Sequence, residues 1–303
     1  PEAMRVVVVG CGYVGLALAG QLDSRGHAVT GVRRSEAGLD AVDAVAPDVE
    51  AVRADATDPS SLAALPDADA VVFAASSGGR GADAAREVYV DGLANVVDEY
   101  GSRSAPPDRL VYTSSTGVYG DHGGGWVDEE TPVEPTTEKT GVLAEAERIA
   151  TERAGDAGID GTVVRFAGLY GPDRYRLERY VEGPVTAGYL NMVHRADAAG
   201  SVRHLLETDR ARDRVVLVVD DEPVDKHAFA DWLADACGVP RPEKLSKDER
   251  IAAGDLSAAA ERRIRTSKRC SNALLRELGY EFVHPTFRSG YRDAVRAYRA
   301  RTE

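Results

Sequence analysis

The sequence predicts an α/β fold, in which a doubly wound parallel sheet carries helices on both faces and a small C-terminal lobe follows. Two observations predict it. Short apolar strands alternate with helical segments over the first half of the 303-residue chain, as a parallel sheet requires. The first strand, Arg5 to Gly10, also passes directly into a glycine-rich turn that opens a helix. A glycine turn at that position is typical of a Rossmann nucleotide-binding domain.

The elements can be predicted in order along the chain. Apolar residues at helical spacing from Leu16 to Leu22 indicate the first helix, which ends before Gly26. Further strands are predicted where short apolar runs are bounded by polar or glycine-rich segments. These strands cover 27–32, 49–55, 70–74, 109–113 and 161–166, and the sequence also predicts helices over about 82–100 and 140–154.

The regular alternation ends after Gly168. Short apolar segments then lie between prolines, glycines and aromatic residues, with one clear strand at 214–219 and a charged, weakly patterned stretch at 239–266. We therefore assign residues 1–168 to the nucleotide-binding domain, with about 190–220 returning to it. Residues 169–189 and 221–303 are assigned to a small substrate-binding lobe.

The composition excludes several classes of function. A net charge of −13 argues against nucleic acid and anionic membrane surfaces as partners. No apolar run reaches the roughly 18 residues that a membrane-spanning helix needs, and no signal peptide is visible, so we expect a cytoplasmic protein. The three cysteines and six histidines lack metal-ligand spacing, which predicts neither a disulfide framework nor a metal site.

Lysine is rare in this chain. Only five of the 37 basic residues are lysines and the other 32 are arginines, while Asp and Glu number 50. Such an acidic, lysine-poor composition is similar to that of proteins from salt-loving organisms, in which salt screens self-repulsion. High-GC codon usage with an acidic surface is the alternative interpretation.

The glycine turn predicts a dinucleotide site. Gly10 would allow the tight turn, Gly12 the approach of a pyrophosphate to the backbone, and Gly15 close packing of helix on strand. At the end of the second strand, Arg33 and Arg34 stand where an acidic residue would accept hydrogen bonds from an NAD ribose. Two guanidinium groups suit a 2′-phosphate, so we predict NADP(H), with NAD also compatible. A solvated basic turn is the alternative.

From these residues onward the chain resembles the extended short-chain dehydrogenase/reductase family, also called the NAD-dependent epimerase/dehydratase family. The resemblance spans nearly the whole chain. Its motifs are the glycine turn, Asp55-Ala-Thr-Asp58, Thr113-Ser-Ser115-Thr-Gly-Val-Tyr119-Gly120, Arg165-Phe-Ala-Gly-Leu-Tyr170-Gly-Pro172, Asn191-Met-Val-His194-Arg-Ala-Asp197 and Ser267-Lys-Arg-Cys-Ser-Asn272. The predicted cofactor-binding residues are Gly10, Gly12, Tyr13, Val14, Gly15, Arg33, Arg34, Asp55, Ala74 and Ala75.

The chain departs from the family at its acid–base pair. The family uses Tyr-x-x-x-Lys on the helix after the Val-Tyr-Gly segment, and alignment on Pro135 and Glu147 puts Lys139 and Leu143 at those two positions. The resemblance therefore implies an atypical subgroup without the pair. Three residues are candidates for catalysis: Ser115 as the substrate-orienting hydroxyl, and Tyr119 or Lys139 as proton donor. A turn-capping serine, a loop-shaping tyrosine and a solvated lysine are the structural alternatives.

The remaining predictions concern the substrate and the function. Asn191 and Arg174 are candidates for contact with a small-molecule substrate, whereas His194, Asp197 and Arg165 are expected to be structural. The resemblance implies an oxidoreductase or epimerase for a small carbonyl, sugar or nucleotide-sugar substrate, and a homodimer formed through the helices near 82–100 and 140–154. A non-catalytic NADP(H)-binding sensor and a scaffold that has lost the cofactor are the alternatives.

Overall fold

A seven-stranded parallel sheet forms the centre of the molecule, and the computed structural model describes residues 2–78 and 81–302. All neighbouring strands run parallel, in the order β7-β6-β5-β4-β1-β2-β3. The predicted doubly wound α/β fold is confirmed. The strands are β1 (Arg5–Val9), β2 (Ala28–Arg33), β3 (Glu50–Arg53), β4 (Ala70–Phe73), β5 (Arg109–Ser115), β6 (Asp160–Phe166) and β7 (Arg214–Val218).

Helices cover both faces of this sheet, and the first strand shows why its sequence is apolar throughout. Val6 and Val8 belong to one buried core, and Val7 and Val9 belong to the core on the opposite face. Successive strand residues point to opposite faces, so a strand covered on both sides needs a continuous apolar run.

The two long helices predicted before and after β5 are present, and each contains a stretch of wider, π-helical turns. The sequence did not predict the helix Glu36–Val45, which Ser35 caps. The helices are Tyr13–Ser24, Glu36–Val45, Ala82–Ala85 continued by Arg86–Gly92 and Leu93–Gly101, Glu138–Arg148 continued by Ile149–Arg153 and Ala154–Asp156, Leu177–Glu182, Arg195–Glu207, Lys226–Cys237, Lys247–Ala252, Ala258–Arg265, Ala273–Glu277, Phe287–Gly290 and Arg292–Thr302, with 3₁₀ turns at Pro59–Ala64 and Thr116–Val118.

The C-terminal lobe has its own aromatic core, to which Phe229, Phe287 and Tyr291 contribute. The described residues also form four pairs of short strand segments: Trp126–Val127 with Arg269–Cys270, Gly168–Tyr170 with Met192–His194, Val185–Thr186 with Lys244–Leu245, and Tyr189–Leu190 with Val224–Asp225. Among the described residues, no helix is long and apolar enough to cross a membrane.

Asp197 ties the lobe to the sheet domain. Its carboxylate accepts hydrogen bonds from the Tyr280 hydroxyl and from the backbone N–H groups of Val283 and His284, at 2.7 to 2.8 Å. His194 caps the helix Arg195–Glu207 by accepting from the N–H of Ala196. Both residues are therefore part of the framework, and Asp197 joins segments more than 80 residues apart rather than supporting its own helix start alone.

Candidate functional site

The glycine turn lies at the carboxyl end of β1, beside β4, where the strand order changes direction. Gly10 has φ +84°, and a Cβ atom there would lie 2.2 Å from the Cα of Ala75. On Gly15 a Cβ would lie 2.7 Å from the Gly10 carbonyl oxygen. On Gly12 the nearest atom would be Nη1 of Arg33, at 4.0 Å. Gly10 and Gly15 are thus required by packing, whereas Gly12 keeps open the space in front of the turn.

The helix Tyr13–Ser24 begins at this turn without a capping side chain. Its first N–H groups are left to bind an incoming acceptor, and the helix dipole adds positive potential there. This combination is the usual way in which a protein binds phosphate at a helix N-terminus. The backbone geometry of the predicted pyrophosphate site is therefore present.

A cavity of about 650 Å³ extends from this turn along the carboxyl ends of the strands. That volume lies within the range typical of small-molecule sites. One end is formed by the residues that follow β2, and the other by the end of β5 and the start of the lobe. The lining includes Gly10, Gly12, Tyr13, Val14, Arg33, Arg34, Ser35, Asp55, Ala74, Ala75, Tyr89, Thr113, Ser115, Leu143, Leu169 and Arg174. All predicted cofactor residues except Gly15 line this cavity.

The two arginines after β2 are held differently. Arg33 donates through Nη1 to the Cys11 carbonyl at 2.7 Å, so its guanidinium is fixed beneath the glycine turn. Arg34 is exposed and makes no ion pair or hydrogen bond within the part of the chain that the structure describes. Ser35 accepts from the N–H of Gly38 at 3.2 Å and starts the next helix. A free guanidinium and a helix N-terminus therefore meet at this end of the cavity.

Asp55 lies in the cavity wall at the end of β3. One of its carboxylate oxygens accepts from the N–H and the hydroxyl of Thr57, at 2.9 and 2.7 Å. These bonds fix the orientation of the side chain. Sequence reasoning missed Tyr89, which also lines the cavity and whose hydroxyl accepts from the N–H of Ser77 at 3.2 Å. No sequence pattern distinguishes this tyrosine from the buried residues of its helix.

The three catalytic candidates have different positions. Ser115 lines the cavity, and its Oγ also accepts from the N–H of Gly117 at 3.0 Å. Lys139 lies half-buried in the first turn of the helix Glu138–Arg148, outside the lining. Leu143, one turn further along that helix, does face the cavity. The structure therefore brings Ser115 and Leu143 together at the end of β5 and leaves Lys139 aside.

Tyr119 is buried in a polar network away from the lining. Its hydroxyl donates to the carbonyl of Asp128 at 2.5 Å and accepts from Nη1 of Arg165 at 2.8 Å. Burial raises the pKa of Tyr119 far above its ordinary value. This geometry favours the loop-shaping alternative for Tyr119 over a role in proton transfer.

Arg165 and Glu147 form the charged part of that network. Nη2 and Nε of Arg165 lie 2.6 and 2.9 Å from Oε1 of Glu147, and the Ser114 hydroxyl donates to Oε2 at 3.0 Å. Arg165 was expected to be structural, and its partners in the structure are the Glu147 carboxylate and the Tyr119 hydroxyl. The pair fixes the backbone beside Ser115.

Of the two predicted substrate contacts, Arg174 lies in the cavity wall and Asn191 does not. The guanidinium of Arg174 sits 4.1 Å from the ring centroid of Tyr13. The side chain of Asn191 instead joins the C-terminal segment, because it donates to the Lys268 carbonyl at 2.9 Å and accepts from the Cys270 N–H at 2.7 Å. Burial lowers the pKa of Lys268, a residue that sequence reasoning did not single out.

This fold and site define a dinucleotide-binding protein of the Rossmann class. Residues 6–219 match the model of the NAD dependent epimerase/dehydratase family, and the chain belongs to that family. Protein YeeZ of Escherichia coli K12 is 30% identical over 287 residues, which cover 93% of this chain and 96% of that protein.

Solved structures agree with this membership. A protein from Methylobacillus flagellatus, provisionally described as a NAD-dependent epimerase/dehydratase, is 29% identical with a TM-score of 0.77, and the match covers 100% of both chains. The human epimerase family protein SDR39U1 (isoform 2), solved with NADPH, is 20% identical with a TM-score of 0.75. That match covers 97% of this chain and 99% of the human chain, and it concerns the fold alone.

Proposed function

We propose that this chain is an NADP(H)-dependent oxidoreductase or epimerase/dehydratase-like enzyme, which acts on a small carbonyl, sugar or nucleotide-sugar substrate. One observation carries the proposal: a single cavity joins an open glycine turn at the first helix to the Ser115 hydroxyl at the end of β5. Family membership supports the same reaction class. The cofactor when bound would supply hydride transfer at its nicotinamide ring.

The residues of the chain fit this cofactor. A Cβ on Gly12 would enter the space that a pyrophosphate needs, and the uncapped helix behind it offers N–H donors. Asp55 would accept from the adenine end, and Ser115 would orient the substrate oxygen. The preference for NADP(H) rests on Arg34, because its exposed guanidinium is the group that suits a 2′-phosphate.

A non-catalytic NADP(H)-binding sensor is the second candidate. The observation that favours it is the position of the expected acid–base groups: Lys139 stands outside the lining, and Leu143 occupies the cavity wall. An enzyme without a positioned acid or base loses roughly 10² to 10⁴ in rate. Cofactor binding needs none of these groups, so a binding protein would tolerate their loss.

Titration with NADPH and with NADH, followed by nicotinamide fluorescence in high and low salt, tests the cofactor assignment. Arg34→Ala should weaken NADPH binding about tenfold or more, since a charge-assisted hydrogen bond contributes roughly 1.5–3 kcal/mol, and should leave NADH binding unchanged. Arg53→Ala is the matched control, because Arg53 is an exposed arginine of the neighbouring strand that pairs with Glu36. Equal affinity for both cofactors in the wild type would refute the preference.

Turnover distinguishes the enzyme from the sensor. Substrate-dependent oxidation of NADPH that Ser115→Ala slows, with NADPH affinity unchanged, supports the enzyme. Tight NADPH binding without turnover across a panel of carbonyl and sugar substrates supports the sensor. We further propose a cytoplasmic homodimer adapted to high salt, formed through the helices near 82–100 and 140–154. Light scattering after gel filtration in high and low salt tests the dimer.

A further inference from the structure

Two lysine side chains meet at Gly188 in the C-terminal lobe, and we call Lys226 and Lys247 the lysine pair. A Cβ atom built on Gly188 would lie 3.8 Å from Nζ of Lys226 and 3.7 Å from Cε of Lys247. These two atoms therefore lie within about 7.5 Å of each other. Gly188 has φ +137°, a conformation that residues with a side chain rarely adopt. The backbone at Gly188 thus leaves room where the two side chains converge.

The surrounding backbone holds the lysine pair in place. The N–H of Lys226 donates to the Gly188 carbonyl at 2.9 Å. Next to it, Nε2 of His227 lies 2.9 Å from the carbonyl oxygen of Val185 and 3.1 Å from that of Leu245. His227 thereby joins the short strands on both sides of the lysine pair. These bonds fix the backbone at Lys226 and at Leu245, two residues before Lys247.

Neither lysine forms an ion pair among the described residues. The Lys226 ammonium makes no hydrogen bond with any of them, and that of Lys247 reaches only the Arg265 carbonyl, at 3.3 Å. The carboxylates of Asp225 and Asp121 attract Lys226 and Lys247 from beyond ion-pair distance. Asp225 accepts a hydrogen bond from the N–H of Ala228, and Asp121 accepts from those of Gly123 and Ser267.

Two other cations of the chain, Lys244 and Arg165, are paired with carboxylates. In the same lobe Lys244 pairs with Asp231 at 2.6 Å, and the buried guanidinium of Arg165 pairs with Glu147. Lys226 is half-buried, and burial lowers its pKa, with the charges of Lys247 and Arg179 lowering it further. A chain with a net charge of −13 thus places two converging cations where neither has an ion-pair partner among the described residues. An anion bound there would relieve both the repulsion and the loss of hydration.

We propose that the lysine pair binds an oxyanion, a phosphate or carboxylate group carried by a small substrate. Its location suits this role. Gly188 precedes Asn191 by three residues, a span of at most roughly 11 Å, and the Asn191 carbonyl accepts from the N–H of Gly168 at 2.8 Å. Leu169 then lines the main cavity. Residues 188–191 and 168–169 therefore link the lysine pair directly to the wall of the cavity. Only the description of the ligand as substrate rests on the proposed function.

Labelling with pyridoxal 5′-phosphate tests the site without reference to the cofactor. Its aldehyde condenses with a lysine amine, water leaves, and borohydride reduces the imine, so peptide mapping identifies the lysine. At pH 7 we expect Lys226 or Lys247 to react at least tenfold faster than the paired Lys244. Inorganic phosphate should slow that reaction severalfold at constant ionic strength, whereas chloride should not.

Variants and a second anion complete the test. Lys226→Gln should abolish the phosphate protection of Lys247, and Lys244→Gln, the matched control, should preserve it. Protection by acetate and not by phosphate would identify a carboxylate as the ligand and still support an anion site. Equal labelling of the three lysines, or protection that depends on ionic strength alone, overturns the proposal. Failure of NADPH to bind would refute the proposed function and leave these labelling results unaffected.

Discussion

The buried pair of Glu147 and Arg165 offers a quantitative test of how the site is held. Their side chains are 9% and 7% exposed, and two guanidinium nitrogens lie within 2.9 Å of one carboxylate oxygen. Glu147→Ala would leave Arg165 buried without a counter-charge and the Ser114 hydroxyl without its acceptor. Removing one partner of a buried pair costs about 3–5 kcal/mol.

This free energy translates into a shift in melting temperature. The entropy of unfolding is about 2.1 cal/mol/K per residue, so for 303 residues the expected decrease is roughly 5–8 °C. Differential scanning calorimetry measures it. The matched control is Asp98→Ala, since Arg153 and Asp98 have similar bidentate geometry, at 2.9 and 2.6 Å, but are half-exposed. An exposed pair contributes about 0–1 kcal/mol, so the control should change the melting temperature by less than about 2 °C.

A double variant separates charge burial from loss of packing. Arg165→Met in the Glu147→Ala background removes the unpaired cation and keeps most of the side-chain volume. If charge burial causes the instability, the double variant should be more stable than Glu147→Ala alone. A double variant that is less stable, or equal shifts for Glu147→Ala and Asp98→Ala, would refute the reasoning.

Two further predictions follow from buried polar and glycine positions. Burial raises the pKa of Asp220 to about 8, whereas an unfolded aspartate has a pKa of about 3.9. Between these two pH values the folded state keeps a proton that the unfolded state loses. The free energy of unfolding therefore falls as pH rises from about 4 to 8, by up to roughly 1.4 kcal/mol per pH unit. Asp220→Asn should flatten this slope in urea unfolding at pH 5 and pH 8, and an unchanged slope would contradict the assignment. Gly10→Ala should unfold or strongly destabilise the chain, because the new Cβ would meet the Ala75 backbone. Gly12→Ala should keep the melting temperature of the wild type and weaken NADPH binding severalfold. A stable Gly10→Ala variant together with an unfolded Gly12→Ala variant would exclude the roles given to the two glycines.

Local patterns allowed most of the sheet to be predicted. Continuous valine runs such as Val6 to Val9 occur where a strand is covered on both faces, and that requirement is visible in the sequence. The helix Glu36–Val45 was missed although Ser35 caps it. Its Leu39, Val42 and Val45 recur every three residues, a spacing that does indicate a helix, although the segment is short and buries only Gly38 and Val42 completely.

The site was harder to predict where function depends on segments distant in sequence. Asn191 was expected in the cavity, but it binds backbone groups 77 and 79 residues further along the chain. The role of Tyr119 is fixed by Arg165, 46 residues away. No local sequence pattern marks the lysine pair, because Lys226 and Lys247 are distant in sequence and come together only where both contact Gly188 in the fold. The composition shows that lysine is scarce in this chain, but it cannot show that Lys226 and Lys247 lie close together.

Arg33 and Arg34 are adjacent in sequence but make different contacts, and the sequence alone does not reveal this difference. Both support the same prediction, since a pair of arginines after β2 suits a 2′-phosphate. Successive residues at a strand end point in different directions, and the two side chains differ in their contacts. Arg33 donates to the Cys11 carbonyl at the glycine turn, whereas Arg34 has no partner among the residues that the structure describes. Arg33→Ala should therefore weaken NADH and NADPH binding together, because it disturbs the shared turn. Arg34→Ala should weaken NADPH binding alone, and only the second change would alter the preference between the two cofactors.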